Sequence, residues 1–387
     1  MPALDVPQPE FMDDEEIAIF ADAVGKFYEK HAPEKRVLKW REDGQVDREF
    51  WREAGEAGLL GASVPEEYGG HGGDFRHEMV VIDQQGQHGV EGFAASLHNT
   101  IILPYLVRHG TEEQKKKYLP RLVSGDLVSA IAMTEPGVGS DLQSITTTAI
   151  KDGNGYRING AKTYISNGQI ADFIIVVAKT DPNERAKGIS LMLLETDGAE
   201  GFQRGKKLDK IGLEAQDTSE LFFDDVFVPA ENVLGGEEGK GFYQLMGELP
   251  QERLIIAMGA MTTIERALEE TLAFTKERKA FGKTIWDFQN TQFTLAELKA
   301  RATAAKVFVN HCIAQHLEGK LDVPTACMAK LWLTELQGEV VDKCLQLHGG
   351  SGYINDYPIA RMFRDSRVTR IFGGSNEIMK MVIARSM

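Results

Sequence analysis

The spacing of hydrophobic positions changes period twice along the chain. Ile17, Phe20, Val24, Phe27 and Tyr28 recur every three or four residues behind the acidic run Asp13-Asp14-Glu15-Glu16. That is an amphipathic helix with negative charge at its N-terminus. Pro33 is expected to stop it, and a second helical piece is expected over about Arg48–Ala57. After the glycine loop 69–73, Asp74 is suited to cap the next helix. Thr111 and Gln114 have capping-box spacing and open a basic helix closing near Pro120. Residues 1–126 therefore read as a helical domain.

From Leu127 the period shortens. Leu127–Met133, Ile145–Lys151, Tyr156–Ile165, Phe173–Lys179, Ile189–Glu195 and Glu220–Val228 read as strands, parted by turns such as Asp152-Gly153-Asn154-Gly155. No helix-length segment lies between them, so residues 127–234 predict a compact antiparallel sheet. Beyond Gly235-Gly236-Glu237-Glu238-Gly239 the helical period returns, over about 242–278, 291–317 and 325–348, with a shorter helix from Ser375. Residues 235–387 thus predict a C-terminal four-helix bundle. The fold class is α+β multidomain: helical, then β, then bundle.

Composition narrows the function. The chain has 387 residues, 42% apolar and 26% charged, with a net charge of −15, which argues against nucleic acid as a main partner. There is no apolar run of about 18 residues to span a membrane. Cys312, Cys327 and Cys344 form no CxxC and lie in helical patterns, so free buried thiols in a reducing compartment are expected. The acidic N-terminal stretch has neither an apolar leader nor an Arg/Ser-rich presequence, so a cytoplasmic location is expected. The nine histidines contain no HExxH pair, and no metal site is expected. Gly235–Gly241 lacks the phosphate-loop spacing, and Gly137–Leu142 lacks a third glycine for a dinucleotide fingerprint.

One stretch carries unusual chemistry. Ala132–Asp141, AMTEPGVGSD, follows an apolar strand and offers the hydroxyls of Thr134 and Ser140 on a backbone kept open by Gly137 and Gly139. Such a loop lets a flat ligand approach the main chain closely.

Four more segments join it: Lys162–Gly168 (KTYISNG), Glu277–Lys283 (ERKAFGK), Cys344–Tyr353 (CLQLHGGSGY) and Arg370–Glu377 (RIFGGSNE). In this order, over essentially the full length, they resemble the acyl-CoA dehydrogenases, and Glu248–Leu254 (ELPQERL) resembles the long-chain branch. The resemblance implies FAD-dependent removal of two hydrogens from Cα and Cβ of an acyl-CoA thioester. A base takes the α-proton while the β-hydrogen leaves as hydride to the flavin. It implies cofactor contacts at Ile131, Met133, Thr134, Gly139, Ser140, Tyr164, Ile165 and Ser166. Further contacts are implied at Arg278, Phe281 and Gln289, at Gln346, Leu347, His348, Gly349 and Gly350, and at Ser375, Asn376 and Glu377. Substrate contacts are implied at Ser140, Tyr243, Leu249, Arg253, Gly373 and Gly374.

Many relatives carry the base as a Glu directly after the aromatic of the last motif, but here Phe372 is followed by Gly373. In the long-chain and isovaleryl branches the base precedes an Arg-Leu pair on a helix, and Glu252-Arg253-Leu254 stands there. Glu252 is therefore the expected base, with the Gly373 backbone N–H a donor to the thioester oxygen. Glu67, Asp141 and Asp365 are expected to be caps or ion-pair partners. The small and apolar residues Gly92–Leu97 are expected to line a deep acyl pocket, favouring medium-to-long straight chains. Branched or sterol side-chain thioesters are an alternative, as is a non-catalytic flavoprotein subunit, against which Glu252 speaks. An electron-transferring flavoprotein and a dimer-of-dimers homotetramer are the implied partners.

Overall fold

The computed structural model describes residues 3–387. In the N-terminal domain, α1 (Glu15–His31) starts where the Asp14 side chain accepts from the Glu16 backbone N–H. Pro33 ends α1, whose last residue is His31, but not the helical region. It caps a further helix, α2 (Glu34–Asp43), because the fixed φ of proline suits a helix start and breaks only a helix interior. Next come α3 (Arg48–Glu56) and α4 (Phe75–Gln87), the latter capped by Asp74. After α5 (Ala95–Leu97), a π-turn over His98–Ile102 leads into α6 (Leu103–His109). Thr111 and Gln114 form the capping box of α7 (Glu112–Val123), which contains Pro120 and ends three residues beyond it.

The middle domain holds β1 (Ser129–Ala132), β2 (Thr148–Asp152), β3 (Gly155–Ser166), β4 (Phe173–Lys179), β5 (Ile189–Glu195), β6 (Phe202–Lys207) and β7 (Thr218–Pro229). The order is β1-β4-β2-β3-β7-β6, with β5 also on β4. The sheet is not wholly antiparallel: β1 runs parallel to β4 in the register Ser129↔Phe173 to Ala132↔Val176. The β2–β3 hairpin supplies the long crossover that a parallel pair requires, so no helix is needed. β4 and β5 are buried on both faces. Phe173, Ile175 and Val177 pack toward the helices, and Ile174, Val176 and Ala178 pack inside the β domain.

The C-terminal domain is built on α8 (Gly241–Glu277), followed by the short hairpin β8 (Lys279–Ala280) and β9 (Lys283–Thr284). Then come α9 (Gln289–Leu317), α10 (Val323–His348), α11 (Pro358–Ser366) and α12 (Asn376–Arg385). Leu254, Leu298, Leu333 and Val340 are among the residues of the core between α8, α9 and α10. The three cysteines are buried and free. Among the described residues no helix is long and apolar enough to cross a membrane. Asp365 is the expected ion-pair partner: it takes both Arg41 guanidinium nitrogens, at 2.8 and 3.0 Å.

Candidate active site

Glu252 lies a third of the way along α8 and is 6% exposed. Burial drives its carboxyl upward, and the nearby Glu248 charge adds to this. The Tyr105 hydroxyl, donating to Oε1 at 2.8 Å, and Arg253 oppose it, leaving a pKa of about 7. Such a carboxyl is half ionised near neutrality, the range in which a general base works best. Glu248, one turn earlier, accepts from Arg108 and meets His109 Nε2 at 3.1 Å. Gln251 donates to the Thr100 carbonyl at 2.7 Å and accepts from Arg108 at 2.8 Å.

Beside this segment runs the loop 373–375. Gly373 has φ 61°, and a Cβ there would sit 2.4 Å from Ile256 Cδ1, one turn beyond Glu252 on α8. The loop and the Glu252 segment are therefore neighbours. Lys330 of α10 is fully buried and holds the loop by donating to Gly374 O at 2.9 Å and Asn376 Oδ1 at 2.8 Å. Burial, reinforced by Arg253, lowers the Lys330 ammonium to about 8. No motif pointed to Lys330; an isolated lysine on an apolar helix face was the one signal available. Asn376 is turned inward, donating to Thr334 at 3.0 Å and Glu335 at 2.7 Å. Arg253 also points inward, donating to Cys327 Sγ at 3.2 Å, while Leu249 is half-buried and Tyr243 exposed. Ser375 is half-buried and Glu377 exposed at the start of α12.

The loop 133–140 and the end of β3 form a second group. Lys162 and Glu135, neither of which had been singled out as a partner of the other, make a buried ion pair at 2.9 Å. Lys162 also donates to Met133 O at 2.9 Å, and Glu135 accepts from the Thr146 and Thr147 backbone N–H groups at 2.7 and 2.9 Å. Burial alone would raise the Glu135 carboxyl, but Lys162 and these donors hold it near 2; burial lowers Lys162 to about 8 despite Glu135. Both groups are charged at neutral pH, and they staple the loop to β3. Immediately beyond, the β3–β7 ladder shifts register between Lys162 and Ile165. That bulge leaves Tyr164 at φ 59° with its side chain 68% exposed. Bulges re-aim side chains in this way beside functional sites. Ile165 points into the core, Ser166 and Thr134 are half-buried, and Ser140 is exposed. Beside Gly137 and Gly139 a Cβ would meet nothing within 4 Å. Ile131 and Met133 are half-buried at the end of β1.

A third group sits at the far end of the bundle. Arg278 and Gln289 are exposed, and Phe281 is 95% exposed at φ 52°. They adjoin Gln346–Gly350, because Phe274 of α8 stacks on His348 of α10 at 4.2 Å. His348 is buried, Leu347 half-buried, and Gln346, Gly349 and Gly350 exposed. At the rise of an α-helix, about 37 Å separates Glu252 from the end of α8, further than one dinucleotide reaches. Exposed aromatics in left-handed backbone and Cβ-free surface are what a flat dinucleotide would lie against. The residues present fit FAD, in two separate clusters.

The stretch expected to line a deep acyl pocket is used otherwise. Phe93 packs 4.8 Å from both Phe50 and Trp51, and Ala95 joins the same core. The small residues allow close packing, and in this stretch Gly92, Ser96 and Leu97 stay half-buried. A cavity of about 590 Å³ does lie nearby, between Asn99, Leu103, Val107, Pro250 and Gln251, but Glu252 is not in its wall.

Domain models described as acyl-CoA dehydrogenase N-terminal, middle and C-terminal domains match residues 14–126, 130–226 and 239–387. The chain is 48% identical over 371 residues to the mitochondrial long-chain specific acyl-CoA dehydrogenase of Sus scrofa, covering 95% of this chain and 86% of that one. The crystal structure of an acyl-CoA dehydrogenase from Geobacillus kaustophilus superposes with a TM-score of 0.94 at 47% identity, covering 96% and 98% of the two chains. A glutaryl-CoA dehydrogenase from Mycobacterium smegmatis in complex with FADH2 superposes with a TM-score of 0.91 at 27% identity, covering 100% and 97%. The chain belongs to the acyl-CoA dehydrogenase family and is an FAD-dependent oxidoreductase of acyl-CoA thioesters.

Proposed function

We propose that the chain converts medium-to-long straight-chain acyl-CoA to trans-2-enoyl-CoA in fatty-acid oxidation, with Glu252 as the base that takes the α-proton. The observation that carries this is the Glu252 carboxyl, buried, held by Tyr105 and poised near pH 7, beside a loop whose residue 373 is glycine. An α-C–H is a weak acid even beside a thioester, so the developing enolate oxygen needs donors. The backbone N–H groups of Gly373 and Gly374 are proposed for that role, on a loop that Lys330 anchors. FAD, when bound, supplies the oxidant for the hydrogen leaving Cβ.

Met133, Thr134, Gly139, Ser140 and Tyr164–Ser166 would hold the flavin end of the cofactor. Arg278, Phe281 and Gln289 would complete the pyrophosphate and adenosine side, and Gln346–Gly350, Ser375 and Glu377 would make further cofactor contacts. The helix length between Glu252 and Arg278 supports a distal group that serves a flavin bound by a neighbouring copy, and a homotetramer built as a dimer of dimers is proposed. Reduced flavin needs an acceptor, and an electron-transferring flavoprotein is proposed. The free buried thiols fit a reducing compartment, and a cytoplasmic location is proposed on that basis.

Glu252→Gln tests the assignment. FAD content and acyl-CoA affinity should persist while anaerobic flavin reduction slows by roughly 10²–10⁴; wild-type reduction kinetics would refute it. An anaerobic bleaching series over acyl length tests the substrate range. Its kcat/KM should climb from C8 toward C12–C16, in keeping with the 48% identity to a long-chain specific relative.

A further inference from the structure

Tyr105 lies on α6, 147 residues from Glu252 in sequence, and is fully buried. Its approach depends on the π-turn before it. Each extra residue in a helical turn rotates everything downstream by about a quarter of a circle. The π-turn over 98–102 is fastened from several sides. Asn99 donates to Leu59 O at 2.7 Å and Glu78 at 3.0 Å, and the His98 ring meets Ser129 Oγ at 2.7 Å and Leu122 O at 3.0 Å. Gln251, next to the base, donates to the Thr100 carbonyl within the same turn. Two adjacent residues of α8 are thus tied to one irregular segment, Gln251 to its backbone and Glu252 through Tyr105.

We propose that Tyr105 is a positioning residue for the reaction: its hydroxyl holds Glu252 by Oε1 and leaves Oε2 to take the α-proton. The inference rests on Glu252 being the base. The phenol is suited to this task because burial and the adjacent Glu252 charge raise its own pKa well above the ordinary value. It remains a donor across the working pH range. A donor to the carboxylate stabilises the charged form, so Tyr105 offsets part of the upward drive of burial on Glu252. The other groups around the base are accounted for. On α8, Glu248 raises it and Arg253 lowers it. From α6, Arg108 and His109 are engaged by Glu248. From α9, His316 meets Gln251 at 3.2 Å, and from α10, Cys327 and Lys330 lie on the far side of Arg253.

The test is single-turnover flavin reduction of the FAD-loaded enzyme across pH, in wild type, Tyr105→Phe and Glu252→Gln. The rate rises with pH as the base ionises. In Tyr105→Phe the acidic limb should move up by about one to two pH units, the weight of one hydrogen bond to a charged group. The limiting rate at high pH should fall about tenfold, because the carboxylate is no longer oriented. FAD content and acyl-CoA affinity should stay as in wild type. An unmoved limb together with an unchanged limiting rate would overturn the proposal.

Should the Phe variant fail to hold FAD, site-specific fluorotyrosine at 105 keeps the fold and gives a more acidic phenol. The limb must then move to lower pH, and a limb that stays put overturns the proposal. If Glu252→Gln reduces its flavin normally, the base assignment itself fails. If Glu252→Gln is inert and the Tyr105 variants leave the limb in place, only the role of Tyr105 fails.

Discussion

The raised pKa of Glu252 should appear in both an equilibrium and a rate. The folded protein binds the carboxyl proton more tightly than the unfolded chain, with a pKa of about 7 against the ordinary 4.5. Stability from this group is therefore fully present below pH 4.5 and lost as pH rises through 7. At about 1.4 kcal/mol per pH unit, the loss reaches about 3.5 kcal/mol by pH 8. Glu252→Gln keeps the side-chain shape and removes the titration. The stability difference between variant and wild type should thus grow in favour of the variant from pH 5 to pH 8, read as denaturant midpoints of the substrate-free enzyme. In rate, a base with that pKa is ionised to about a tenth at pH 6 and about nine-tenths at pH 8, so single-turnover reduction should rise roughly tenfold between them. A stability difference that is flat with pH, together with a rate already at its plateau by pH 6, would show Glu252 to be an ordinary carboxylate and refute the reasoning.

Three further outcomes follow from particular contacts. Lys162→Met strands the Glu135 charge in a dry site and should cost about 3–5 kcal/mol with loss of FAD, most of it recovered in the double variant with Glu135→Gln; equal midpoints for the two variants in urea would contradict the pairing. Gly373→Ala adds a Cβ 2.4 Å from Ile256 Cδ1 at φ 61°, so flavin reduction should fall and Ile256→Val should restore part of it. Phe281→Asp charges an aromatic that is 95% exposed in the single chain; gel filtration should give a smaller species with less FAD, and an unchanged assembly would refute a subunit contact there.

Sequence pattern reached far where one rule dominated. β4 and β5 are bounded as expected because both faces are buried and the apolar run has sharp ends. β6, FQRGKK, escaped because an exposed edge strand need not be apolar, and α2 escaped because Pro33 was read as a stop. Glu252 stands out in the sequence through the carboxylate missing at 373. Its partners do not: Tyr105 and Lys330 reach the site through distant segments, and no local pattern encodes a contact across 147 residues. The Glu135–Lys162 pair likewise exists only once β3 and the loop before it are folded against each other.

With the proposed base on α8, the proton acceptor is separated from gating. In a chain whose base rides on the loop at 373, any motion that admits substrate or releases product also moves the proton acceptor. Here the acceptor belongs to a helix packed in the core of the bundle, while the loop is tethered chiefly by the Lys330 ammonium. The loop can breathe at each turnover without losing the alignment of the carboxylate. Drift at 373–375 should therefore weaken the donors to the enolate oxygen without turning the carboxylate away from the α-carbon.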